Sequence, residues 1–262
     1  MASIKVETFF AEERRMKIQQ LIRERKKVQV AELAEMLKVS STTIRTDLRE
    51  MEQSLLLLRT HGGAIERPQA RLETQMHLRE SLQSAEKQLI AKLVLEEIQN
   101  GDTILLDTGT TTREVARLLA RRDQLTVVTN DLIVAGTLEN IPGIEVFLMG
   151  GIVRKGFQCT IGPAWENGMA EISVDKGFFG TNGFSIDSGA STPDLGQATN
   201  KREMLRMVKK VYLLCDHEKF GRVSFTRFAS LDQIDTVVTD RISSPDRQQL
   251  EQAGIEVLAA EG

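Results

Sequence analysis

The chain has 262 residues, which is enough for one or two domains with a sizeable hydrophobic core. Its composition, with 41% hydrophobic, 27% charged and only 5% aromatic residues, is that of an ordinary folded protein and excludes a disordered or collagenous chain. Its two cysteines, Cys159 and Cys215, are far apart and form no Cys-x-x-Cys pair, so neither a disulfide framework nor a cysteine-based zinc site is supported.

The net charge of −3 does not by itself indicate a nucleic-acid partner, but the charge is unevenly distributed. Residues 1–68 carry 13 of the 34 basic and 10 of the 37 acidic side chains, leaving 21 basic and 27 acidic for the rest. No segment approaches the roughly 20 apolar residues of a membrane span, and the start lacks the apolar run of a signal peptide. We therefore expect a cytoplasmic protein with its basic excess at the N-terminus.

Three amphipathic helices are predicted at the start of the chain. Apolar residues at helical spacing indicate helices over residues 12–25 and 30–37. A third helix follows Ser40, whose hydroxyl is suited to cap its first turn. The buried stripe of this third helix consists of Ile44, Leu48, Met51 and Leu55.

A short hairpin is predicted after the third helix. Residues 59–65 read Arg-Thr-His-Gly-Gly-Ala-Ile, in which Gly62-Gly63 supplies the positive φ of a tight turn. Three helices and a hairpin are the outline of a winged helix-turn-helix. The polar segment 66–73, which contains Pro68, indicates a domain boundary. We expect a winged helix-turn-helix domain over residues 1–66, a linker over 67–85 and a second domain over 86–262.

The second domain alternates strands and helices. Predicted strands cover residues 103–106, 125–128, 145–149, 177–179, 211–214, 236–238 and 255–258. Predicted helices cover residues 86–98, 112–120, 200–209 and 245–253. Because these strands are apolar at every residue, both of their faces must be covered, which is typical of a mostly parallel α/β sheet.

The third helix has a polar face suited to the major groove of DNA. Arg45 and Arg49 lie at i, i+4 and project together, where guanidinium groups can read base edges and first-turn hydroxyls can contact phosphates. Two arginines alone are more typical of a solvated surface, but the order of helices, turn and hairpin reverses this preference and favours DNA binding. His61 has no second His or Cys near it in the sequence, so a metal site is not supported. The predicted DNA-binding residues are Ser40, Ser41, Thr42, Thr43, Arg45, Thr46, Arg49, Arg59 and His61.

Residues 39–48, Val-Ser-Ser-Thr-Thr-Ile-Arg-Thr-Asp-Leu, and residues 59–64, Arg-Thr-His-Gly-Gly-Ala, resemble the N-terminal signature of the DeoR family of bacterial transcriptional regulators. The resemblance extends through most of the chain. It implies that the second domain senses sugar phosphates and is similar in fold to ribose-5-phosphate isomerase and the sugar-phosphate deaminases. The chain departs from the family at Thr46, where a second arginine is common, and at Leu55, where Gly or Asn usually ends the recognition helix.

Four predicted strands end in small polar residues, at 107–109, 129–131, 216–217 and 239–240. Carboxyl ends of parallel strands share one edge of the sheet, where the ligand crevice lies. Residues 107–112, Asp-Thr-Gly-Thr-Thr-Thr, join a strand to a helix whose free amides and dipole favour a phosphate. A threonine-capped turn without a ligand is the alternative, whereas the pattern fits neither a Walker loop nor Gly-x-Gly-x-x-Gly. In the DeoR family this loop is the phosphate-binding site.

Two further segments contain glycines that would let a ligand approach the backbone, 150–151 and 180–183, although ordinary turns explain them equally well. Lys201, expected to open a helix, and Lys219 could neutralise a phosphate. Gln197 stands where the family commonly has Glu. The predicted effector-binding residues are Asp107, Gly109, Thr110, Thr111, Thr112, Thr129, Asn130, Gly151, Gly180, Thr181, Asn182, Gly183, Lys201 and Lys219.

The resemblance implies a repressor of a carbohydrate-utilisation operon that leaves its double-stranded operator DNA when a phosphorylated sugar binds. We expect a homodimer or homotetramer with no cofactor, no metal and no catalytic residue. One alternative is a sugar-phosphate isomerase or deaminase with an added DNA-binding domain, for which Asp107, Asp187 and Asp216 are candidate acid–base groups. Asn182 argues against it, because an amide cannot act as a general base. The other alternative is an architectural DNA-binding protein whose second domain only oligomerises.

Overall fold

The computed structural model describes residues 10–53, 56–60, 62–65, 82–162 and 172–260. The chain divides into two compact units, Met1–Thr74 and Gln75–Gly262. Among the sequence-based expectations, Leu55, His61 and the boundary segment 66–73 lie outside the described residues. Within the described part of the chain, no helix is both long and apolar enough to span a membrane.

The first unit contains the three predicted helices and the predicted hairpin. Its elements are α1 (Ala11–Arg25), β1 (Lys27–Gln29), α2 (Val30–Met36), α3 (Ser41–Gln53), β2 (Leu58–Thr60) and β3 (Gly63–Ile65). The helices pack around a core that includes Ile18, Leu33 and Ile44, each at most 1% exposed. Strand β1 was not predicted, because three residues are too short to show an alternating pattern. It pairs antiparallel with β3, so that the sheet has the order β1-β3-β2.

The two glycines of the hairpin have different roles. Gly62 adopts a φ of 145°, as predicted for the turn, whereas Gly63 is not in the positive-φ region. A Cβ at Gly63 would lie 2.0 Å from the carbonyl oxygen of Val28 in β1. Gly62 thus supplies the positive φ predicted for the Gly-Gly turn, and Gly63 is needed for the close approach of β1.

The second unit is built on one large sheet with helices on its faces. Its elements are α4 (Ser84–Glu97), β4 (Thr103–Leu106), α5 (Thr110–Leu118), β5 (Leu125–Thr129), α6 (Leu132–Leu138), β6 (Ile144–Leu148), β7 (Ile152–Arg154), β8 (Cys159–Ile161), β9 (Val174–Gly180), β10 (Gly183–Ser185), β11 (Gly189–Thr192), α7 (Leu195–Leu205), β12 (Val208–Leu214), β13 (Thr226–Ala229), β14 (Thr236–Thr239), α8 (Ser244–Gln252) and β15 (Glu256–Ala259).

Seven of these strands form an entirely parallel sheet with the order β15-β14-β12-β9-β4-β5-β6, which confirms the predicted α/β architecture. Alternate residues of each central strand enter different cores. Leu105 and Phe179 belong to one cluster, and Ile104 and Phe178 belong to the cluster on the other face. This two-sided burial is the reason that these strands are apolar at every residue.

Three expectations for the second unit are corrected. Strand β6 lies at the sheet edge and leaves Phe147 and Leu148 more than 40% exposed, so it is not covered on both faces. The helix predicted over 200–209 begins at Leu195, because Asp194 caps it by accepting from the backbone N–H of Gln197. The residues from Val208 onward form β12 instead. The short antiparallel pairs β7–β8 and β10–β11, and helix α6, were not predicted.

Candidate functional site

Helix α3 of the first unit buries one face and leaves the opposite face to solvent. Ser40 precedes it, and the Ser40 hydroxyl accepts a hydrogen bond from the backbone N–H of Thr43 at 3.1 Å, which confirms the predicted N-cap. Ile44, Leu48 and Met51 are each at most 1% exposed. The apolar stripe therefore fixes which side chains of α3 face outward.

The outward face of α3 carries two arginines that make no ion pair among the described residues. Arg45 and Arg49 are exposed, as are Thr42 and Thr46, while Ser41 is half-buried. The Thr46 hydroxyl donates to the carbonyl oxygen of Thr42 at 3.2 Å, so it is used within the helix. The two guanidinium groups are thus exposed on the same face of α3.

The hairpin is tied to the end of α3 through Arg59. Its backbone N–H donates to Glu52 at 3.0 Å, and its guanidinium group lies 3.6 Å from the same carboxylate. Arg59 remains exposed. The predicted contact of this residue with DNA phosphates therefore competes with an ion pair inside the unit.

A buried ion pair that the sequence analysis missed joins α1 to α3. The Nε of Arg14 lies 2.5 Å from Oδ2 of Asp47, and its Nη2 lies 3.1 Å from Oδ1. Asp47 is 2% exposed, and its hydrogen bond raises the pKa of Arg14. Arg15 also approaches Asp47, at 3.4 Å. A signal for this pair was present, because Asp47 falls three residues after Ile44, on the otherwise apolar stripe.

In the second unit, the loop after β4 ends directly in the first turn of α5. Helix α5 starts at Thr110, two residues before the predicted start, with Gly109 as its N-cap. The Thr112 hydroxyl lies 2.6 Å from the carbonyl oxygen of Asp107 and 2.9 Å from that of Gly109, so it stabilises the loop itself. The first backbone N–H groups of the helix have no partner within it, and together with the helix dipole they favour an anion.

Asp107, at the end of β4, forms a buried ion pair with Lys201 of α7. Lys201 donates to Oδ2 of Asp107 and, at 2.9 Å, to the carbonyl oxygen of Gly180 at the end of β9. Gly180 donates its N–H to the same carboxylate oxygen at 3.1 Å. Burial raises the pKa of Asp107, and the charge and hydrogen bond of Lys201 oppose that effect. Three predicted site residues are therefore in contact, although Lys201 lies within its helix instead of opening it.

A second buried ion pair supports the loop from the side of β5. Asp131, which is fully buried, accepts from the Thr108 hydroxyl at 2.8 Å and from Arg113 of α5 at 3.0 Å. It also caps α6 by accepting from two backbone N–H groups of that helix. Arg113 extends to the side chain of Gln158, at 3.0 Å. Arg113 is not among the predicted site residues, because an arginine on a predicted helix is usually a surface residue.

Thr129 and Asn130, both predicted to bind the effector, hold neighbouring strands in place. The Thr129 hydroxyl donates to the carbonyl oxygen of Leu106 in β4 at 2.7 Å. The amide of Asn130 donates to the carbonyl oxygen of Thr160 in β8 at 3.0 Å, and its Oδ1 is buried without a hydrogen-bond partner among the described residues. Their observed contacts are therefore with the sheet.

The predicted glycine-containing segments pack against other backbone segments. Gly151 has a φ of 138°, and a Cβ there would lie 2.7 Å from the carbonyl oxygen of Ile161 in β8. A Cβ at Gly183 would lie 2.6 Å from the carbonyl oxygen of Arg222. At both positions the missing side chain makes room for a neighbouring strand or loop.

Four polar side chains follow β9 or face its end from β11 and α7. The Thr181 hydroxyl donates to the carbonyl oxygen of Gly183 at 2.7 Å. The Thr192 hydroxyl lies 3.2 Å from Oδ1 of Asn182 and 3.3 Å from Oε1 of Gln197. The Thr192 hydroxyl therefore bridges the amide groups of Gln197 and the predicted site residue Asn182.

The end of β12 carries a further pair of charged residues. Lys219 lies 2.8 Å from Asp216. Burial acts to raise the pKa of Asp216, but the charge and hydrogen bond of Lys219, together with the charges of Lys87 and His217, outweigh burial, so the pKa is lowered. The neighbouring His217 is held by Asp240, whose Oδ2 lies 2.7 Å from its Nδ1. Asp187, the remaining acid–base candidate, is exposed between β10 and β11.

The two thiols of the chain are buried and fully inaccessible to solvent. Burial raises the pKa of Cys159 to about 11 and also raises the pKa of Cys215. No group of three or more His, Cys, Asp or Glu side chains in the described ranges could hold a metal ion.

Comparisons with known proteins address both units. A family model described as the DeoR-like helix-turn-helix domain matches residues 14–68, and one described as the DeoR C terminal sensor domain matches residues 82–241. The HTH-type transcriptional regulator GlpR of Haloferax volcanii is 37% identical, over 94% of this chain and 96% of its own length. The Glycerol-3-phosphate regulon repressor of Escherichia coli is 36% identical, over 84% and 87%. The HTH-type transcriptional repressor GlcR of Bacillus subtilis is 32% identical, over 96% and 97%.

The solved structures that match this chain do so with low sequence identity and low TM-scores. Ribose 5-phosphate isomerase from Plasmodium falciparum matches 52% of each chain with 15% identity and a TM-score of 0.39. The translation initiation factor eIF-2B of Pyrococcus horikoshii matches 87% of this chain and 86% of its own, with 12% identity and a TM-score of 0.44. Scores of this size support no functional conclusion. The two family models and the relatives that align over nearly the whole chain show that this protein belongs to the DeoR family of DNA-binding transcriptional regulators.

Proposed function

We propose that this regulator acts in the cytoplasm as a repressor of a carbohydrate-utilisation operon and leaves its operator when a phosphorylated sugar or polyol binds the second unit. The observation that carries the proposal is the start of α5, where unpaired backbone N–H groups follow a buried strand at the carboxyl edge of a parallel sheet. The relatives agree, since one is named a glycerol-3-phosphate regulon repressor and another a putative aga operon transcriptional repressor.

We assign operator binding to residues 1–66 and effector binding to residues 86–262, with 67–85 as linker. Arg45 and Arg49 of α3 read base edges, while Ser40, Ser41 and Thr43 lie near the helix N-terminus and contact phosphates. A homodimer or homotetramer presents two such helices to half-sites separated by whole turns of DNA. A tenfold to hundredfold loss of operator affinity requires a coupling free energy of only ~1.4 to 2.7 kcal/mol between the two sites.

The effector phosphate binds the N–H groups of residues 110–112, and Lys219 contributes positive charge from the end of β12. Gly109 favours close approach of the ligand, since among the described residues a Cβ at this position would meet the Thr112 hydroxyl at 3.6 Å, an ordinary van der Waals distance. The chain is a regulator without catalytic turnover. A test incubates the purified protein with ribose 5-phosphate and glucosamine 6-phosphate, and turnover at ordinary enzyme rates would contradict this part of the proposal.

The decisive experiment screens inorganic phosphate and a panel of sugar and polyol phosphates by thermal shift, then measures operator binding with each ligand that stabilises the protein. A ligand present at 100 times its dissociation constant stabilises the folded state by ~2.7 kcal/mol. We expect at least one panel member to raise the melting temperature and to weaken operator binding at least tenfold. If millimolar concentrations of the whole panel leave operator affinity unchanged, the second unit only assembles the protein.

A further inference from the structure

One oxygen of the Asp107 carboxylate has no hydrogen-bond partner among the described residues. Lys201 and the N–H of Gly180 both donate to Oδ2. Oδ1 is buried and accepts from no donor among the described residues. A buried acceptor without a donor is rare in folded proteins, and it favours a ligand that supplies the missing hydrogen.

Two glycines beside Asp107 would accept a side-chain atom without a clash against the described residues. At Gly180, which ends β9, an added Cβ would lie 3.8 Å from Oδ2 of Asp107 and 3.9 Å from the carbonyl oxygen of Thr108, both ordinary van der Waals distances. At Gly109, an added Cβ would lie 3.6 Å from the Thr112 hydroxyl. The situation differs from Gly183, where a Cβ would lie 2.6 Å from another backbone segment. The backbone at Gly180 and Gly109 is thus not pressed against a neighbouring segment, which favours the approach of a ligand group.

The charge of the Asp107–Lys201 pair indicates whether the group that donates to Oδ1 of Asp107 is charged or neutral. Lys201 is 3% exposed and neutralises Asp107, so the pair has no net charge. An ammonium group of the ligand would be buried here without a counter-charge, which is unfavourable. A neutral hydroxyl needs no counter-charge. The neutral donors of a sugar or polyol phosphate are its hydroxyl groups, so a hydroxyl of the ligand can supply the missing hydrogen.

We propose that Asp107 is a hydroxyl-recognition residue of the effector site, and that Lys201 positions it as a counter-ion without contacting the phosphate. This inference rests on the proposed function, because it places the hydroxyl beside a phosphate bound at residues 110–112. Asp107 precedes Thr110 by three residues, a span of at most ~10 Å, so the hydroxyl belongs to a carbon close to the phosphate. The subsite thus distinguishes polyol and sugar phosphates from phosphate itself.

The first test uses the unmodified protein and four ligands: inorganic phosphate, propyl phosphate, glycerol 3-phosphate and the di-O-methyl ether of glycerol 3-phosphate. The ether oxygens accept hydrogen bonds but cannot donate them. We expect glycerol 3-phosphate to bind at least tenfold more tightly than the other three, measured by titration calorimetry. Binding of the ether or of propyl phosphate within threefold of glycerol 3-phosphate would overturn the subsite and leave the anion site intact.

The second test replaces the acceptor by a donor. In Asp107→Asn the amide oxygen faces Lys201 and the NH2 group faces the ligand, so glycerol 3-phosphate and its ether should bind within threefold of each other. Asp175→Asn is the matched control, because Asp175 lies at the opposite end of β9, half exposed and paired with Lys209. The control should retain the full preference for the hydroxyl compound.

The outcomes separate the two proposals. A folded Asp107→Asn protein that keeps the tenfold preference for glycerol 3-phosphate over its ether would overturn the role of Asp107. If that variant fails to fold, the ligand series on the unmodified protein tests the subsite. A site that requires a hydrogen-bond donor binds glycerol 3-phosphate more tightly than its ether. If the unmodified protein binds none of the four ligands at 50-fold molar excess, the anion site itself is wrong, and the subsite falls with it.

Discussion

At the residue scale, the exposed polar side chains of α3 and the hairpin divide into those that make contacts within their own unit and those that make no ion pair among the described residues. Thr46 and Arg59 make hydrogen bonds or ion pairs within their own unit, whereas Arg45 and Arg49 make no ion pair in the described part of the chain. Side chains that need not break an existing contact are the better candidates for specific recognition. The two arginines of α3 are therefore expected to contribute most to operator discrimination.

Arg45→Ala should reduce the preference for operator over random DNA by ~1 to 3 kcal/mol if Arg45 makes a bidentate contact to a base. The measurement is a pair of binding titrations, one with operator and one with random DNA, at several salt concentrations. Arg121→Ala, an exposed arginine of the second unit, is the control and should change neither titration. A uniform loss on both DNAs with a shallower salt slope would instead identify Arg45 as a phosphate contact.

The Arg14–Asp47 pair makes a prediction about stability. Asp47→Ala removes the carboxylate that two guanidinium nitrogens of Arg14 bind, and should lower the free energy of unfolding by ~3 kcal/mol, as expected for a broken buried pair. The control is Glu50→Ala, because Glu50 pairs with Arg15 while 44% exposed, and its loss should cost at most ~1 kcal/mol. Urea unfolding measures both variants, and equal losses would show that the Asp47 pair is no stronger than a surface pair.

At the element scale, the start of α5 is the feature on which effector binding depends. Thr110→Asp places a negative charge among the N–H groups proposed to hold the phosphate, and should abolish the effector response while operator binding persists. Ser244→Asp adds the same charge to the first turn of α8 and should leave the response unchanged. Operator release by the effector, followed by fluorescence anisotropy, is the measurement. An unaltered response in Thr110→Asp would remove this loop from the site.

Elements with strong periodicity or continuous apolar runs could be predicted from the sequence. Strand β4 was predicted with its observed bounds, and α1, α2, β5 and β14 were predicted within two residues. Burial on one or both faces gives these elements a clear spacing of apolar residues in the sequence. The antiparallel pairs β7–β8 and β10–β11 were missed because their strands have only three or four residues. The start of α7 was misplaced because its cap, Asp194, follows a proline within a polar segment that gave no periodic signal.

The candidate site was predictable only in part. The loop at 107–112 was found, because a buried strand running into a Thr-rich helix start is a local pattern. The ion pairs Asp107–Lys201 and Arg113–Asp131 join residues 94 and 18 positions apart, and such partners depend on which strands become neighbours in the sheet. Sheet order is set by long-range packing, so the sequence pattern alone does not identify the partner of a buried charge.

At the scale of the whole molecule, the proposed repression requires two copies of α3 to bind DNA at the same time. If an oligomer binds two half-sites, inserting five base pairs between them should weaken binding at least tenfold, since the second half-site then faces the opposite side of the duplex. Inserting ten base pairs should restore much of the affinity. Footprinting first locates the half-sites, and titration of the three DNAs follows. Equal affinity for all three would indicate that a single helix-turn-helix suffices.

The burial of both thiols makes the chain convenient for site-directed labelling. Cys159 and Cys215 are fully inaccessible to solvent, and the pKa of each lies well above neutrality, so maleimide dyes have no native thiolate to attack in the folded protein. One introduced cysteine in each unit would accept a donor and an acceptor fluorophore without replacement of either native cysteine. Energy transfer between the dyes would then report how far the groove-reading part of the protein moves when a small molecule occupies the other part.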